Sequence, residues 1–272
     1  MPDHAYLPPQ SGSVVPHVGT YRRVLPVNLE RMFENALDWE HLPHLHSSSF
    51  GALELLEAAG WGWRARVQNP DGSWSVIELR LDRRQRRWVT RNLEGPNAGA
   101  EIWTYVIERG ANELEIFVDF FVPGVPETSR EKVGRAYARA YEVLYDEDVE
   151  MMVRRQQALD VRVEGVSRGA QELLVGAVAE LTLPKVAEFA GRELIINRLG
   201  DDWVVYPARC PHMLAPLEGV AVEEGVLRCP WHGYEFDVRS GRCLTGQACQ
   251  LAVVAAVEER QGAVYLVRKQ AD

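Results

Sequence analysis

The spacing of apolar side chains changes period several times along the chain. Leu29, Met32, Phe33, Ala36 and Leu37 recur at i, i+3, i+4, i+7 and i+8, which predicts an amphipathic helix with one buried face. Pro26 and Asn28 stand before it, Asn28 as its N-cap, and residues 21–25 suit a short strand. Between residues 60 and 122 the pattern turns to strand-like runs at 61–67, 73–81, 87–93, 101–108 and 113–122. Turn signals at Asn69-Pro70-Asp71-Gly72 and Arg109-Gly110-Ala111-Asn112 separate them, which predicts an antiparallel meander of four or five strands. Pro123, Gly124 and Pro126 end the meander. Residues 127–159 then show helical periodicity with a single tolerable glycine, Gly134.

Both periods lapse over 160–176, where Gly165, Gly169 and Gly176 accumulate. Short strands at close spacing follow, with a hairpin turn at Glu223-Glu224-Gly225, which reads as a small all-β domain. Helix, meander and long closing helix is the order of a helix-grip (START/Bet v1-like) domain, in which an antiparallel sheet wraps a long C-terminal helix. The expected fold class is therefore α+β. Its expected parts are a flexible leader at 1–20, a helix-grip domain at 21–160, a linker at 161–172 and an all-β domain at 173–270.

At 272 residues, 46% hydrophobic and 25% charged, the chain can bury two cores. A formal charge of −9 is a poor match for a polyanion, so nucleic acid is not an expected partner. No apolar run approaches the eighteen or so residues of a membrane span, and residues 1–19 lack the basic and apolar regions of a signal peptide. The expectation is a cytoplasmic protein, in which four cysteines clustered in the last quarter point to a metal site instead of disulfides.

Cys210-Pro211-His212 and Cys229-Pro230-Trp231-His232-Gly233 form C-x-H, sixteen residues, then C-x-x-H. Each segment offers one thiolate and one imidazole. A Rieske [2Fe-2S] cluster needs that division, two cysteines on one iron and two histidines on the other. Zinc fingers usually pair Cys with Cys and His with His. Residues 173–268 resemble a Rieske ferredoxin-like domain, which implies Cys210, His212, Cys229 and His232 as the cluster ligands. Tyr234 and Phe236 occupy the places where high-potential respiratory members carry Ser and Tyr. No second cysteine falls in 213–216, and Trp231 stands where the other would be, so the resemblance is to the lower-potential, oxygenase-associated class. Cys243 and Cys249 match no ligand position, and the third cluster-covering loop, Thr245-Gly246-Gln247-Ala248, lacks the usual proline.

A second knot lies at Asn35, Asp38, His41, His44 and His46. Residues five apart on an unbroken helix point about 140° away from each other. Pro43 is therefore expected to break the helix and let His46 fold back towards His41. Asn35, Asp38 and His41, three apart, would share one helix edge. A non-haem Fe(II) site needs two histidines and one carboxylate. Among Asp146, Glu147, Asp148 and Glu150, the apolar face carrying Tyr141, Leu144, Tyr145, Met151 and Met152 selects Asp148, because a carboxylate there needs a compensating partner.

The pattern N-x-x-D-x-x-H-x-x-x-x-H, followed about a hundred residues later by Glu147-Asp148 and then Gln156-Gln157, resembles the catalytic domain of Rieske non-haem iron oxygenases. That resemblance implies His41, His46 and Asp148 as ligands of a mononuclear Fe(II), with His44 as the fallback. It further implies Asp38, with Asn35 beside it, as the bridge from cluster to iron. The implied partners are O2, a small apolar or aromatic substrate and an NAD(P)H-dependent reductase, directly or through a ferredoxin. In the familiar enzymes the Rieske domain comes first, and the cluster of one subunit serves the iron of its neighbour in a ring, commonly a homo-trimer. Here the order is reversed, which leaves transfer within or between subunits open. The alternative is a non-enzymatic ligand-binding module fused to a Rieske electron carrier.

Overall fold

The structure, a computed structural model, describes residues 15–163, 170–252 and 254–269. The chain order is β1 (His17–Leu25), α1 (Leu29–Leu37), α2 (Leu42–Leu45), β2 (Leu53–Ala59), β3 (Gly62–Gln68), β4 (Trp74–Asp82), β5 (Arg87–Glu94), β6 (Glu101–Gly110), β7 (Glu113–Phe121) and α3 (Glu127–Val163). Nine short strands follow: β8 (Glu172–Ala177), β9 (Lys185–Phe189), β10 (Arg192–Leu199), β11 (Asp202–Pro207), β12 (Val222–Glu223), β13 (Val226–Arg228), β14 (Glu235–Asp237), β15 (Ala255–Arg260) and β16 (Ala263–Arg268). These elements form two compact units that interleave in sequence. The first takes Met1–Leu37 and Ser48–Asp146, the second Asp38–Ser47 and Glu147–Asp272.

The first unit is a seven-stranded antiparallel sheet in the order β1-β7-β6-β5-β4-β3-β2. Its inner face buries Leu114, Ile116, Val118 and Phe120 of β7 completely. Phe120 meets Tyr137 and Tyr141 of α3 at 5.2 Å, and Tyr21 stacks on Tyr145 at 6.1 Å. On the outer face, arginines lie over Phe117, Trp61 and Trp103. There Glu78 is gripped by Arg64 and Arg80, and Glu115 by Arg22 and Arg109. Cation–π contact and ion pairing let large aromatic and charged groups share that face. Helix α1 starts where Asn28 Oδ1 accepts the Arg31 backbone N–H at 2.9 Å. At its far end the carbonyl of Ala36 accepts a hydrogen bond from Trp63 Nε1 at 3.0 Å. Met32, Phe33 and Ala36 are buried, the face that the spacing predicts.

The α+β class and the sheet-plus-long-helix architecture are those read from the sequence, with local corrections. β1 begins at His17, inside the expected leader, because His17 and Thr20 both bond to Asp119 of β7. β2 was not expected: its Leu-Glu-Leu-Leu-Glu-Ala-Ala composition carries no strand signature, and pairing with β3 at the sheet edge makes it extended. Helix α3 continues to Val163, beyond the expected 159. Residues 1–14 of the expected leader and 164–169 of the expected linker lie outside the described residues.

The second unit holds three small sheets, β11-β10-β9, β12-β13-β14 and β15-β16-β8. The β12–β13 hairpin turns at Glu224 and Gly225, both at positive φ, as a two-residue turn requires. One core gathers Leu194, Ile196, Val205 and Leu266. Another gathers Tyr206, Leu217, Leu227, Phe236, Cys210 and Cys229 together with Met151 of α3. Among the described residues no helix is long and apolar enough to cross a membrane.

Glycine 134 shows why a helix-interior glycine is kept. A Cβ there would lie 2.1 Å from the carbonyl oxygen of Val18 on β1. Gly134→Ala in an exposed helix would stabilise by about 1 kcal/mol. Here overpacking reverses the sign, and denaturant melts are expected to show a loss of about 1–3 kcal/mol. Glu78 supplies a pH test: the hydrogen bonds from Arg80 and Arg64 outweigh burial and lower its carboxyl from 4.5 to about 2. A depressed carboxylate stabilises the fold above its unfolded value, and that contribution fades as pH falls from 4.5 towards 2. Melting temperatures over that window are expected to fall less steeply in Glu78→Gln than in the wild type.

Candidate metal centres

Two loops of the second unit are built alike. In the first, Cys210 N–H donates to the carbonyl of Ala215 at 2.9 Å, and Leu214 N–H returns to the carbonyl of Cys210 at 3.0 Å. In the second, Cys229 N–H donates to Tyr234 at 2.8 Å and Gly233 N–H returns to Cys229 at 2.9 Å. Each loop thus has its cysteine at the base, a left-handed residue four positions on (Leu214, φ 63; Gly233, φ 67) and a histidine at the tip. Cys210 and Cys229 are buried, and their sulfurs hydrogen-bond each other. That contact pulls Cys229 down to about 5 and pushes Cys210 up. The His212 and His232 rings lie 4.5 Å apart at 76°. Cys243 and Cys249 pack, half-buried, against the core of these loops.

The segment after α1 brings the second set of groups. α1 stops at Leu37, so Asn35, half-buried on it, does not share a helix edge with Asp38 and His41. His41 instead caps the start of α2, and His46 caps its end. Pro43 is not the helix breaker expected of it: it sits in the first turn of α2, where its missing N–H leaves no bond unmade. His46 leaves the helical conformation at φ −102, ψ 39, and the tight turn brings its ring within 5.0 Å of that of His41. Asp148 of α3 is buried, whereas Asp146 and Glu150 are exposed. Its Oδ1 stands 3.0 Å from His46 Nε2 and 3.5 Å from His41 Nε2.

His41, His46 and Asp148 present ligand atoms all within 4.8 Å of one another, and all three residues are buried. Ligands about 2.0–2.2 Å from a shared ion at right to tetrahedral angles lie about 3.0–3.5 Å apart. The donor set therefore fits a mononuclear metal. Glu147 accepts from His46 Nδ1 at 2.7 Å, which fixes the tautomer that turns Nε2 towards Asp148. Burial lowers the affinity of His46 for a proton, but Asp148 and Glu147 outweigh it and raise it.

Asp38 joins the two sets. Its Oδ2 accepts from His232 Nε2 at 2.8 Å and lies 3.4 Å from His41 Nδ1. Burial favours the neutral carboxyl, yet the two imidazoles hold Asp38 well below the usual carboxylate range. His232 is correspondingly pushed up to about 9, Asp38 and Cys229 outweighing burial. With Nε2 committed to Asp38, His232 Nδ1 is buried without a hydrogen bond. An orphaned imidazole nitrogen beside two paired cysteines is what cluster ligation would satisfy.

Four contacts had no sequence signal. Glu147 on His46 is one. Tyr234 O–H donates to Glu40 Oε2, and the Tyr234 ring stacks on His212 at 4.7 Å. His44, the fallback ligand, stands against Gly233, where an added Cβ would lie 2.3 Å from its ring, and lines a cleft of about 310 Å³ with Arg228 and Pro230. Carboxylates and histidines of this kind are read only once the chain is folded.

Comparison with known proteins gives a match to the Rieske [2Fe-2S] domain over residues 171–256. A pheophorbide a oxygenase from Oryza sativa subsp. japonica is 42% identical over 65 residues, 23% of this chain and 12% of that protein. A methylxanthine N1-demethylase from Pseudomonas putida is 31% identical over 91 residues, 30% of this chain and 26% of that protein. A ferredoxin from Metapseudomonas resinovorans is 28% identical over 85 residues, 31% of this chain and 79% of that protein. The chain therefore spans only a small part of the first two relatives. Among solved structures, a START superfamily protein from Mycobacterium smegmatis matches with a TM-score of 0.42 and 14% identity, over 50% of this chain and 97% of that one. Two similar loops, each with one cysteine and one histidine, thus lie inside a stretch that matches a known family, and residues 171–256 of this chain are a Rieske [2Fe-2S] domain, downstream of the sheet-and-helix unit.

Proposed function

We propose that the chain is a Rieske-type oxygenase that hydroxylates or demethylates an apolar or aromatic small molecule. The observation that carries this reading is the Asp38 carboxylate, which touches His232 of the Rieske loops on one side and His41 of the convergent His41, His46 and Asp148 set on the other. Cys210, His212, Cys229 and His232 would hold the [2Fe-2S] cluster, and His41, His46 and Asp148 a mononuclear Fe(II). When bound, the cluster supplies electrons one at a time and the Fe(II) supplies O2 activation.

The remaining work falls to the chain's own groups. Asp38, ionised, accepts from His232 Nε2 and orients both imidazoles. Its side chain is only 11% exposed, which keeps water out of the link. Glu147 holds His46 in the ligating tautomer. Hydroxylation takes O2, two electrons and two protons, places one oxygen in the substrate and releases the other as water. Demethylation is the same insertion at a methyl group, followed by loss of that carbon as formaldehyde. An NAD(P)H-dependent reductase, directly or through a ferredoxin, replaces the electrons in the cytoplasm.

Anaerobically purified protein is expected to contain about three irons for two acid-labile sulfides. Asp148→Ala is expected to bring that ratio to about two to two with an unchanged cluster spectrum. A wild-type ratio of one, unaltered by added Fe(II), would leave only the electron-carrier reading. Asp38→Ala is expected to keep all three irons while substrate-coupled O2 consumption drops on the order of 100-fold. Retention of full coupled turnover would remove Asp38 from the path.

A further inference from the structure

We infer that electrons pass from cluster to mononuclear iron inside one polypeptide, so that each chain is a complete redox unit and needs no neighbouring subunit to close the circuit. This rests on the oxygenase reading above and extends it to the question of which chain serves which iron. The groups concerned all belong to one compact unit, because Asp38–Ser47 and Glu147–Asp272 cluster together.

The segment that carries His41 and His46 is fastened to the cluster loops of its own chain at three places. Asp38 accepts from His232, Glu40 accepts from Tyr234, and the His44 ring occupies the space that the absent side chain of Gly233 leaves. Leu45 packs against the apolar core that contains Cys210, Cys229, Trp231 and Tyr234, and Met151, one turn past Asp148, is a member of that core. Both sources of the mononuclear ligand set, the α2 turn and helix α3, are therefore anchored where the cluster ligands are.

Hydrogen-bond capacity then decides between subunits. A ligating histidine keeps one ring nitrogen for a second partner. In His232 that nitrogen is Nε2, and its partner is already Asp38 of the same chain at 2.8 Å. The His232 side chain is 1% exposed and that of Asp38 11%, so no carboxylate from a neighbour could reach it without displacing Asp38. The cluster that Cys210, His212, Cys229 and His232 would hold would supply one electron at a time to the O2-dependent reaction at the iron that His41, His46 and Asp148 of the same chain would hold, and the reductase would return that electron to the cluster. Glu40 acts here as a positioning residue, through Tyr234 and its stacking on His212.

Two measurements test this. Differently tagged His46→Ala chains, with cluster but no iron, and Cys229→Ser chains, with iron but no cluster, are co-expressed and co-purified. After reduction, O2 should oxidise the clusters of the mixture no faster than those of His46→Ala alone. Added Fe(II) should likewise leave the microwave-power saturation of the reduced cluster unchanged. Recovery of either in the mixture would overturn the inference. The second measurement needs neither metal variant. Glu40→Cys/Tyr234→Cys protein, prepared as an equal mixture of unlabelled and 15N-labelled chains, is treated with a short bis-maleimide and digested. Linked peptides spanning positions 40 and 234 should be wholly light or wholly heavy. Mixed-isotope pairs, or no link between the two positions, would overturn it. The link reports the contact whether or not iron binds, whereas an iron-to-sulfide ratio of one in the wild type would defeat the oxygenase reading alone.

Discussion

The His232–Asp38 hydrogen bond is the contact on which the arrangement of both centres turns. A carboxylate this deeply enclosed is costly unless its charge is met by donors, and Asp38 has two imidazoles within 3.4 Å. Meeting that requirement fixes the direction of both rings. His232 must turn Nε2 outward and Nδ1 towards the cysteines, and His41 must turn Nδ1 towards Asp38 and Nε2 towards Asp148. One enclosed carboxylate thereby sets the orientation of a histidine in each of the two candidate centres. Removal of Asp38 would leave the buried His232 Nε2–H without its acceptor.

Around that contact, the two halves of the site use different supports. The cluster loops are rigid by backbone bonding: each closes on itself through a reciprocal pair of amide bonds and a left-handed residue. The His41 and His46 turn has only one helical turn of its own and takes its rigidity from side chains that reach out of it, Asp38, Glu40 and His44. Asp148 needs no such help, since a long helix with Met151 and Met152 buried just beyond it carries it.

Legibility in the sequence followed the same division. The two Cys/His loops were readable because two residue types recur at short spacing, and each loop is a local object. Asp148 was readable from helical periodicity, since a lone carboxylate on a buried face is conspicuous. The geometry of residues 35–46 was not, because α1 ends at Leu37 and Pro43 starts a new turn, choices made by tertiary contacts and not by propensity. The contacts that Glu40, Glu147 and His44 make were not legible for the same reason: their partners lie between about a hundred and two hundred residues away in sequence. β2 was missed because a sheet edge imposed an extended form on helix-favouring residues.

The interleaving of the two units bears on how this architecture could be taken apart. A fragment beginning at Glu172 would contain Cys210, His212, Cys229 and His232 yet lack Leu45 and Met151, which pack in the core beneath these loops, and Asp38, which occupies His232. The Rieske portion is therefore not a cassette that can be exchanged by joining chains at one point. Recombination of such a protein must carry two stretches of sequence together, Asp38–Ser47 and Glu147–Asp272, and that couples the history of the C-terminal strands to that of a short segment far upstream.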